Sequence, residues 1–189
     1  LYVELDSTVY FNPSEVASSI NLRSGIISAL QLYSQNVEIN KFGGRFKYSK
    51  INQLIDRVDN GITSNITKII IRRDLKASLN QFAQYELCFG NRFNINPAGY
   101  NIKSTGFTVS GSDKIAYLTD IPNKDSAGNL DGSMKGTVSI VSKNNKNQQV
   151  VLVKGAGIVD YKKGEIILNT VNFTSTVAEN NIVEIQAYP

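Results

Sequence analysis

The stretch from Lys41 to Leu75, KFGGRFKYSKINQLIDRVDNGITSNITKIIIRRDL, constrains the fold more than any other part of the chain. A glycine pair, Gly43 and Gly44, predicts a tight structural turn, because glycine reaches backbone angles closed to other residues. The pair lacks the spacing and the Gly-Lys-Ser/Thr ending of a phosphate-binding loop. After it, Ser49 suits a helix N-cap, and Ile51, Leu54, Ile55 and Val58 share one helical face. Asn60-Gly61 is expected to end this helix as a turn. Thr63–Leu75 then reads as a β-branched strand, with Ile69 and Ile71 on one face and Ile66 and Ile70 on the other. Apolar residues on both faces predict a central strand. Arg72, Arg73 and Asp74 at its end are expected to be exposed. Four consecutive local signals agree, which is the pattern of a scaffold.

Upstream, Leu1–Phe11 alternates, with Leu1, Val3, Leu5, Val9 and Phe11 on one face, and reads as a half-buried strand. Asn12-Pro13-Ser14-Glu15 carries an N-cap, a first-turn proline and a capping-box acid, so a helix is expected from there to about Tyr33. Its buried side should carry Val16, Ile20, Ile27 and Leu30 or Gln31. Gly25 inside it costs roughly 1 kcal/mol against alanine, to be offset by a close approach or taken as a break. Gln35–Asn40 suggests a short strand. Downstream of the central strand, a polar turn at Ser78–Gln81 leads to Phe82–Phe89, with Ala83, Tyr85, Leu87 and Phe89 inward, and a hairpin with the preceding strand is expected.

Residues 1–93 therefore predict an α+β domain, a sheet of at least three strands with two helices on one face. The turn-rich NINPAGY at Asn94–Tyr100 marks the expected boundary. Residues 94–189 predict a small all-β domain, a sandwich or barrel. Its short strands are Lys103–Ser110, Lys114–Thr119, Met134–Lys143, Gln148–Lys154, Gly157–Tyr161, Glu165–Asn169 and Ile182–Tyr188. Asp125 and Asp131 sit in a loop that lacks the alternating ligands and closing Glu of a calcium-binding hairpin, and read as solvated.

Composition narrows the chemistry. The 189 residues contain no histidine, which removes the commonest general base, the Ser-His and Cys-His pairs and most zinc sites. The single cysteine, Cys88, forbids an internal disulfide and has no histidine to activate it. A net charge of +4, drawn from twenty basic residues, gives no focused nucleic-acid footprint. No run is apolar and long enough to span a bilayer. Asp56 and Asp59 beside Arg57 read as solvated helix-end charges, and no pair of carboxylates has the character of an acid-base site. The expectation is a protein without catalytic residues, cofactor, metal, small-molecule substrate, nucleic acid or membrane partner.

Phe42-Gly43-Gly44-Arg45-Phe46-Lys47-Tyr48-Ser49, Ile55–Asp59, Ile62–Thr67 and the following Arg72-Arg73 resemble the baseplate wedge proteins of T4-like contractile-tailed phages, a baseplate J-like family. Val9–Pro13 fits the family's entry into its first helix, and Gly157–Ile166 resembles a strand-turn-strand near its end. The resemblance covers the first half well and the second loosely. The chain begins at Leu1 and has one methionine, Met134, so it is expected to be the C-terminal portion of a longer subunit. The resemblance implies a structural virion component of the tail baseplate, assembled in the host cytoplasm. Such a subunit associates with itself as a homodimer and in a ring around the hub, binds other wedge subunits, and keeps the ring connected while the baseplate rearranges and the sheath contracts.

Candidate interface residues are Phe42, Arg45, Phe46, Lys47 and Tyr48, together with Arg72, Arg73 and Tyr161, since aromatics and arginine are enriched at binding centres; the competing readings are that Phe42, Phe46 and Tyr48 cover the core beside the glycine pair and that Tyr161 belongs to a solvated hairpin turn. Gly43, Gly44 and Gly61 are the candidate structural turns. The alternative function is a carbohydrate- or surface-binding β-module of a tail or adhesin protein, resting on the Asn- and Tyr-rich second half. A carboxylate-dependent glycan hydrolase lacks its paired acidic motif.

Overall fold

The computed structural model describes residues 1–189 apart from Phe42 and Gly43 and the side chain of Glu38. The expected turn at Gly43 and the interface candidate Phe42 therefore lie outside the described residues. The chain forms two compact units, one of Leu5–Lys68 and one of Leu1–Glu4 with Ile69–Pro189. The change of character expected at residues 93–94 falls inside the second unit. Strands β1 (Tyr2–Phe11) and β2 (Ile62–Lys76) run through both.

The smaller unit is the mixed α+β part. It holds α1 (Ser19–Ser34), a helical turn α2 (Val37–Asn40) and α3 (Tyr48–Asp56). Its core is Val16, Leu22, Ile26, Ile51 and Ile55, flanked by Leu5, Val9, Phe11 and Ile62. The odd-numbered positions of β1 thus face the helices, as strand alternation requires. The α3 face is the one its sequence predicts, with Ile55 fully buried and Ile51 nearly so. Its N-cap is Lys47 rather than Ser49, and it ends at Asp56 with Arg57 as C-cap, before Asn60-Gly61.

The first helix departs from expectation. The capping chemistry of Asn12 forms, with the Ser14 N–H donating to Asn12 Oδ1 at 3.1 Å and Asn12 Nδ2 donating to Glu15 Oε1 at 3.0 Å. No helix follows it. The Asn12 N–H donates to the Gly61 carbonyl at 2.8 Å, which holds residues 12–16 as a turn that seats Val16 against Gly61. A Cβ on Gly61 would lie 2.7 Å from the Val16 side chain, so this glycine serves close packing, not a left-handed helix end. The helix starts six residues later, where the Ser18 hydroxyl accepts from the Asn21 N–H. Its buried residues are Leu22 and Ile26, while Ile20 and Ile27 are exposed. Gly25 lies within an unbroken helix, and a Cβ there would sit 3.0 Å from Val58. The close approach is therefore to the segment after α3. Gln35–Asn40 is helical at Val37–Asn40, not a strand.

The larger unit is dominated by strands: β3 (Phe82–Cys88), β4 (Lys103–Ser104), β5 (Phe107–Val109), β6 (Ser112–Pro122), β7 (Lys135–Lys143), β8 (Gln149–Asp160), β9 (Glu165–Thr176) and β10 (Ile182–Ala187). The antiparallel pairings β9–β5, β5–β6, β6–β7, β7–β8 and β8–β9 close a five-stranded barrel. Closure removes most open edges. The two strands expected at Gln148–Lys154 and Gly157–Tyr161 are one, β8, irregular in its pairing with β7 between Val138 and Val141. Core residues include Phe107, Leu118, Ile140, Ile166, Leu168 and Phe173, all buried. Phe173 packs edge-on against both Phe107 and Tyr85, a favoured aromatic geometry.

The hairpin expected between β2 and β3 does not form. β3 pairs with β9, Leu87 opposite Ile166, with the inward residues its alternation predicts. β2 instead lies between β1 and β10, in the order β1-β2-β10-β4. Val183 of β10 stands opposite Leu75, and Ile185 opposite Arg73. β2 is a central strand, as predicted, but its neighbour comes from the far end of the chain.

Candidate interaction surfaces

The basic segment after Gly44 leads directly into α3. Gly44 donates its N–H to the Lys41 carbonyl at 2.8 Å. Arg45 and Lys47 are exposed, and Phe46 is half-buried against the helical core. Tyr48 is exposed along its ring, but its hydroxyl donates to the Thr67 carbonyl at 2.8 Å and ties the first turn of α3 to β2. Of the candidate interface residues here, Phe46 packs on the helical core, Tyr48 is tied to β2 through its hydroxyl, and Arg45 and Lys47 are exposed. Arg45 and Lys47 border a cleft of about 460 Å³ whose lining also includes Tyr33, Asn36, Ile39, Lys41, Gly44 and Lys50.

Arg72 is not the exposed residue its position at a strand end suggests. Its Nη1 lies 2.8 Å from Glu184 Oε1 and 3.1 Å from Glu4 Oε1, and its Nε lies 3.2 Å from Asp74 Oδ1. The guanidinium also sits over the Tyr2 ring, 4.5 Å from its centre, a cation–π contact. Gln186 donates to the second oxygen of Glu4. One cation thus gathers carboxylates from β1, β2 and β10 within the larger unit. Replacing Arg72 with methionine keeps the stem but leaves three carboxylates facing one another. The expected loss, discounted for the partial exposure of the site, is about 1–2 kcal/mol. Chemical denaturation should show the deficit shrinking as added salt screens the carboxylates. Arg73 is half-buried and lines a separate polar cleft with Asp74, Lys76, Gln84 and Glu86.

Tyr161, expected as a contact residue on a hairpin turn, is completely buried. Its hydroxyl donates to Asp120 Oδ2 at 2.7 Å, and Asp120 Oδ1 accepts from the Ile102 N–H at 2.7 Å. Burial, first, and then the hydrogen bond to and charge of Asp120 push the Tyr161 phenol well above its ordinary range. Its backbone is also engaged, donating to the Met134 carbonyl and accepting from the Phe93 N–H. The pair is a structural lock. Sequence reasoning missed Asp120, although Ala116, Leu118 and Asp120 share the parity of the inward face of β6.

Elsewhere carboxylates serve their own loops. Asp125 Oδ1 accepts from the Ala127 and Asn129 N–H groups. Asp131 accepts from the backbone and hydroxyl of Ser133, which hold its carboxyl below the usual value. Among the described residues, no group of three or more Cys, Asp or Glu side chains is placed to hold a metal ion. No helix among them is long and apolar enough to cross a membrane. Cys88 is an exposed free thiol.

These features describe a barrel filled by its own side chains, polar locks that hold its strands, and charged clefts at the surface. Residues 1–74 match the family model described as baseplate structural protein gp6, C-terminal domain III. The match takes in β1, the helices and β2 up to Asp74, and supports a structural protein of a phage baseplate. A structural family suggests a role without catalysis. No curated protein matches the chain.

Proposed function

We propose that the chain is part of a subunit of the phage tail baseplate wedge. In this reading it associates with copies of itself, as a homodimer and within a ring around the hub, and binds other wedge subunits. The ring stays connected while the baseplate rearranges and the sheath contracts. The subunit resides in the virion after assembly in the host cytoplasm. It carries out no chemical step, and needs no cofactor, metal, nucleic acid or membrane for this role.

The observation that carries the proposal is the family match over residues 1–74, which includes the whole of the smaller unit. That unit also exposes apolar side chains suited to cover by another subunit. Ile20, Leu32 and Val37 each keep about three-quarters of their surface in solvent, at 76%, 74% and 76%.

Light scattering coupled to size exclusion tests the reading. The chain is expected to self-associate as concentration rises, and Ile20→Lys with Leu32→Lys should shift it toward monomer without changing its melting temperature. A strictly monomeric chain that binds glycans saturably would overturn the proposal in favour of a surface-binding module.

A further inference from the structure

We propose that the open edge of β8 takes up an extended, acid-flanked segment of a neighbouring protein as an added strand. The inference rests on the reading of the chain as an assembly subunit and names one surface through which it binds. β8 is registered with β7 from Gln149 to Asp160, but with β9 only from Gly157 to Asp160. Opposite Ser139 of β7, β8 carries Lys154, Gly155 and Ala156 between registered positions, and extra residues of this kind bend a strand. Beyond Leu168, β9 continues to Thr176 without pairing β8, so the two strands part. The second side of residues 149–156 therefore carries no strand among the described residues.

Where the strands part, a pocket of about 200 Å³ opens, lined among others by Val153 and Ala156 of β8, Val171 and Asn172 of β9, and Phe82 of β3. Among the described residues its lining holds no charged side chain. Asn172 Oδ1 is buried and meets no donor among the described residues, a costly state that an incoming backbone N–H would relieve. The edge itself is apolar. Val150, Val151 and Val153 keep 41%, 52% and 40% of their surface in solvent, and Phe82 keeps 70%. A bare edge presents a row of backbone donors and acceptors that template another strand. Strand addition uses these elements together, with main-chain bonds for affinity and a pocket for an alternate side chain.

Charge selects the occupant. Between Asp131 and Asp160 the sequence has no Asp or Glu but does have Lys135, Lys143, Lys146 and Lys154. Lys143 and Lys146 lie at the turn that joins β7 to β8, Lys154 lies near the other end of the open stretch, and all three are exposed. A second copy of β8 laid antiparallel would bring the lysines of one turn against Lys154 of the other copy, and like charges across a strand pair are unfavourable. A segment with acids at both ends and apolar side chains between them meets the lysines and the valines at once. One of its aliphatic side chains would enter the pocket.

The test uses the full 189-residue chain and a fluorescein-labelled peptide of alternating Val and Thr flanked by Glu, read by fluorescence anisotropy. Two further versions of the peptide carry N-methyl groups on one or the other alternate set of backbone amides. Only one set can face β8, so one version should bind as the parent peptide does and the other about tenfold or more weaker. Phe82→Ala combined with Val153→Glu is expected to weaken the parent peptide about tenfold or more, with thermal melting as the check that the barrel stays folded. Ile20→Lys with Leu32→Lys, in the other unit, should leave peptide affinity within about twofold. Equal affinity of the two methylated peptides, or no saturable binding, would overturn the inference. So would a peptide that breaks up self-association of the chain in light scattering, because the edge would then belong to a second copy. Saturable, methylation-sensitive binding by a chain that stays monomeric would support the strand edge and remove the self-association reading. Self-association without peptide binding would do the reverse.

Discussion

Alanine at Gly157 is expected to prevent stable closure of the barrel. A Cβ at this position would lie 2.3 Å from the Ile167 carbonyl oxygen and 3.0 Å from the Leu168 Cα. Both atoms are backbone, and both belong to β9, the strand that β8 must meet to complete the ring. A flexible side chain would swing away from such a contact, but a paired strand moves only by breaking its ladder. Gly157 stands opposite Leu168, at the end of the registered segment that runs through Ile158, Val159 and Asp160. Displacing it exposes Val159, Ile166 and Leu168, each essentially buried. The expected loss exceeds about 4 kcal/mol, the range reserved for substitutions that disrupt a core or its backbone. Circular dichroism and thermal melting should show a chain that is largely unfolded or melts without cooperativity. Gly155→Ala, two residues earlier, is the informative contrast. Gly155 has a φ of +72° but only one neighbour at 4.0 Å, so alanine there meets backbone strain of about 1–2 kcal/mol without a steric block. A Gly157→Ala chain as stable as its Gly155→Ala counterpart would show that β8 and β9 close by another geometry.

What was legible in the sequence was local, and what was not was the choice of partner. The helical spacing of Ile51 and Ile55, the inward set Ala83, Tyr85, Leu87 and Phe89, and the extent of β2 all follow from periodicity, and the structure has them. Nothing in an alternating strand specifies its neighbour, so β3 read as the hairpin mate of β2 when it belongs to β9. The third strand of the first sheet, β10, begins more than a hundred residues after β2 begins, beyond the reach of local signals. At Asn12 the capping signals are present and satisfied, yet tertiary contact with Gly61 uses them for a turn. The site residues failed differently. Arg72 and Tyr161 carry the signals of residue type and proximity to a turn, whereas parity continued one residue past the end of β8 places Tyr161 on the inward side with Val159. Arg45 and Lys47 carry the same signals and do lie at the surface. Exposure of a charged residue beside a turn is the default, and only the long-range partners Glu4 and Glu184 make Arg72 an exception.

Phenylalanine at Tyr161 is expected to destabilise the barrel by about 2–3 kcal/mol, the cost of stranding a buried charged acceptor. The substitution removes one oxygen and preserves the ring, so the packing change is small and the effect isolates the hydrogen bond. Asp120 Oδ2 loses its donor while Oδ1 keeps the Ile102 N–H. No other donor can enter cheaply, because Asp120 is fully buried and Gly136 closes the site, its would-be Cβ lying 2.6 Å from the Tyr161 hydroxyl. Asp120→Ala removes the acceptor for both donors and should cost more. In the double variant the penalties should not add, and a coupling of about 1–2 kcal/mol is expected for two groups in one network. Alkaline denaturation gives a second readout. The folded-state pKa of Tyr161 is raised above the ordinary value of 10.0, so the unfolded chain gives up this proton first. Its contribution is complete below about pH 10 and is lost progressively as pH rises above that value toward the folded-state pKa. The parent should therefore lose stability with a steeper alkaline limb than Tyr161→Phe, which has no phenol to ionise at that position. If the two chains show parallel profiles above about pH 10 and equal stability at neutral pH, Tyr161 packs in the barrel without locking Asp120.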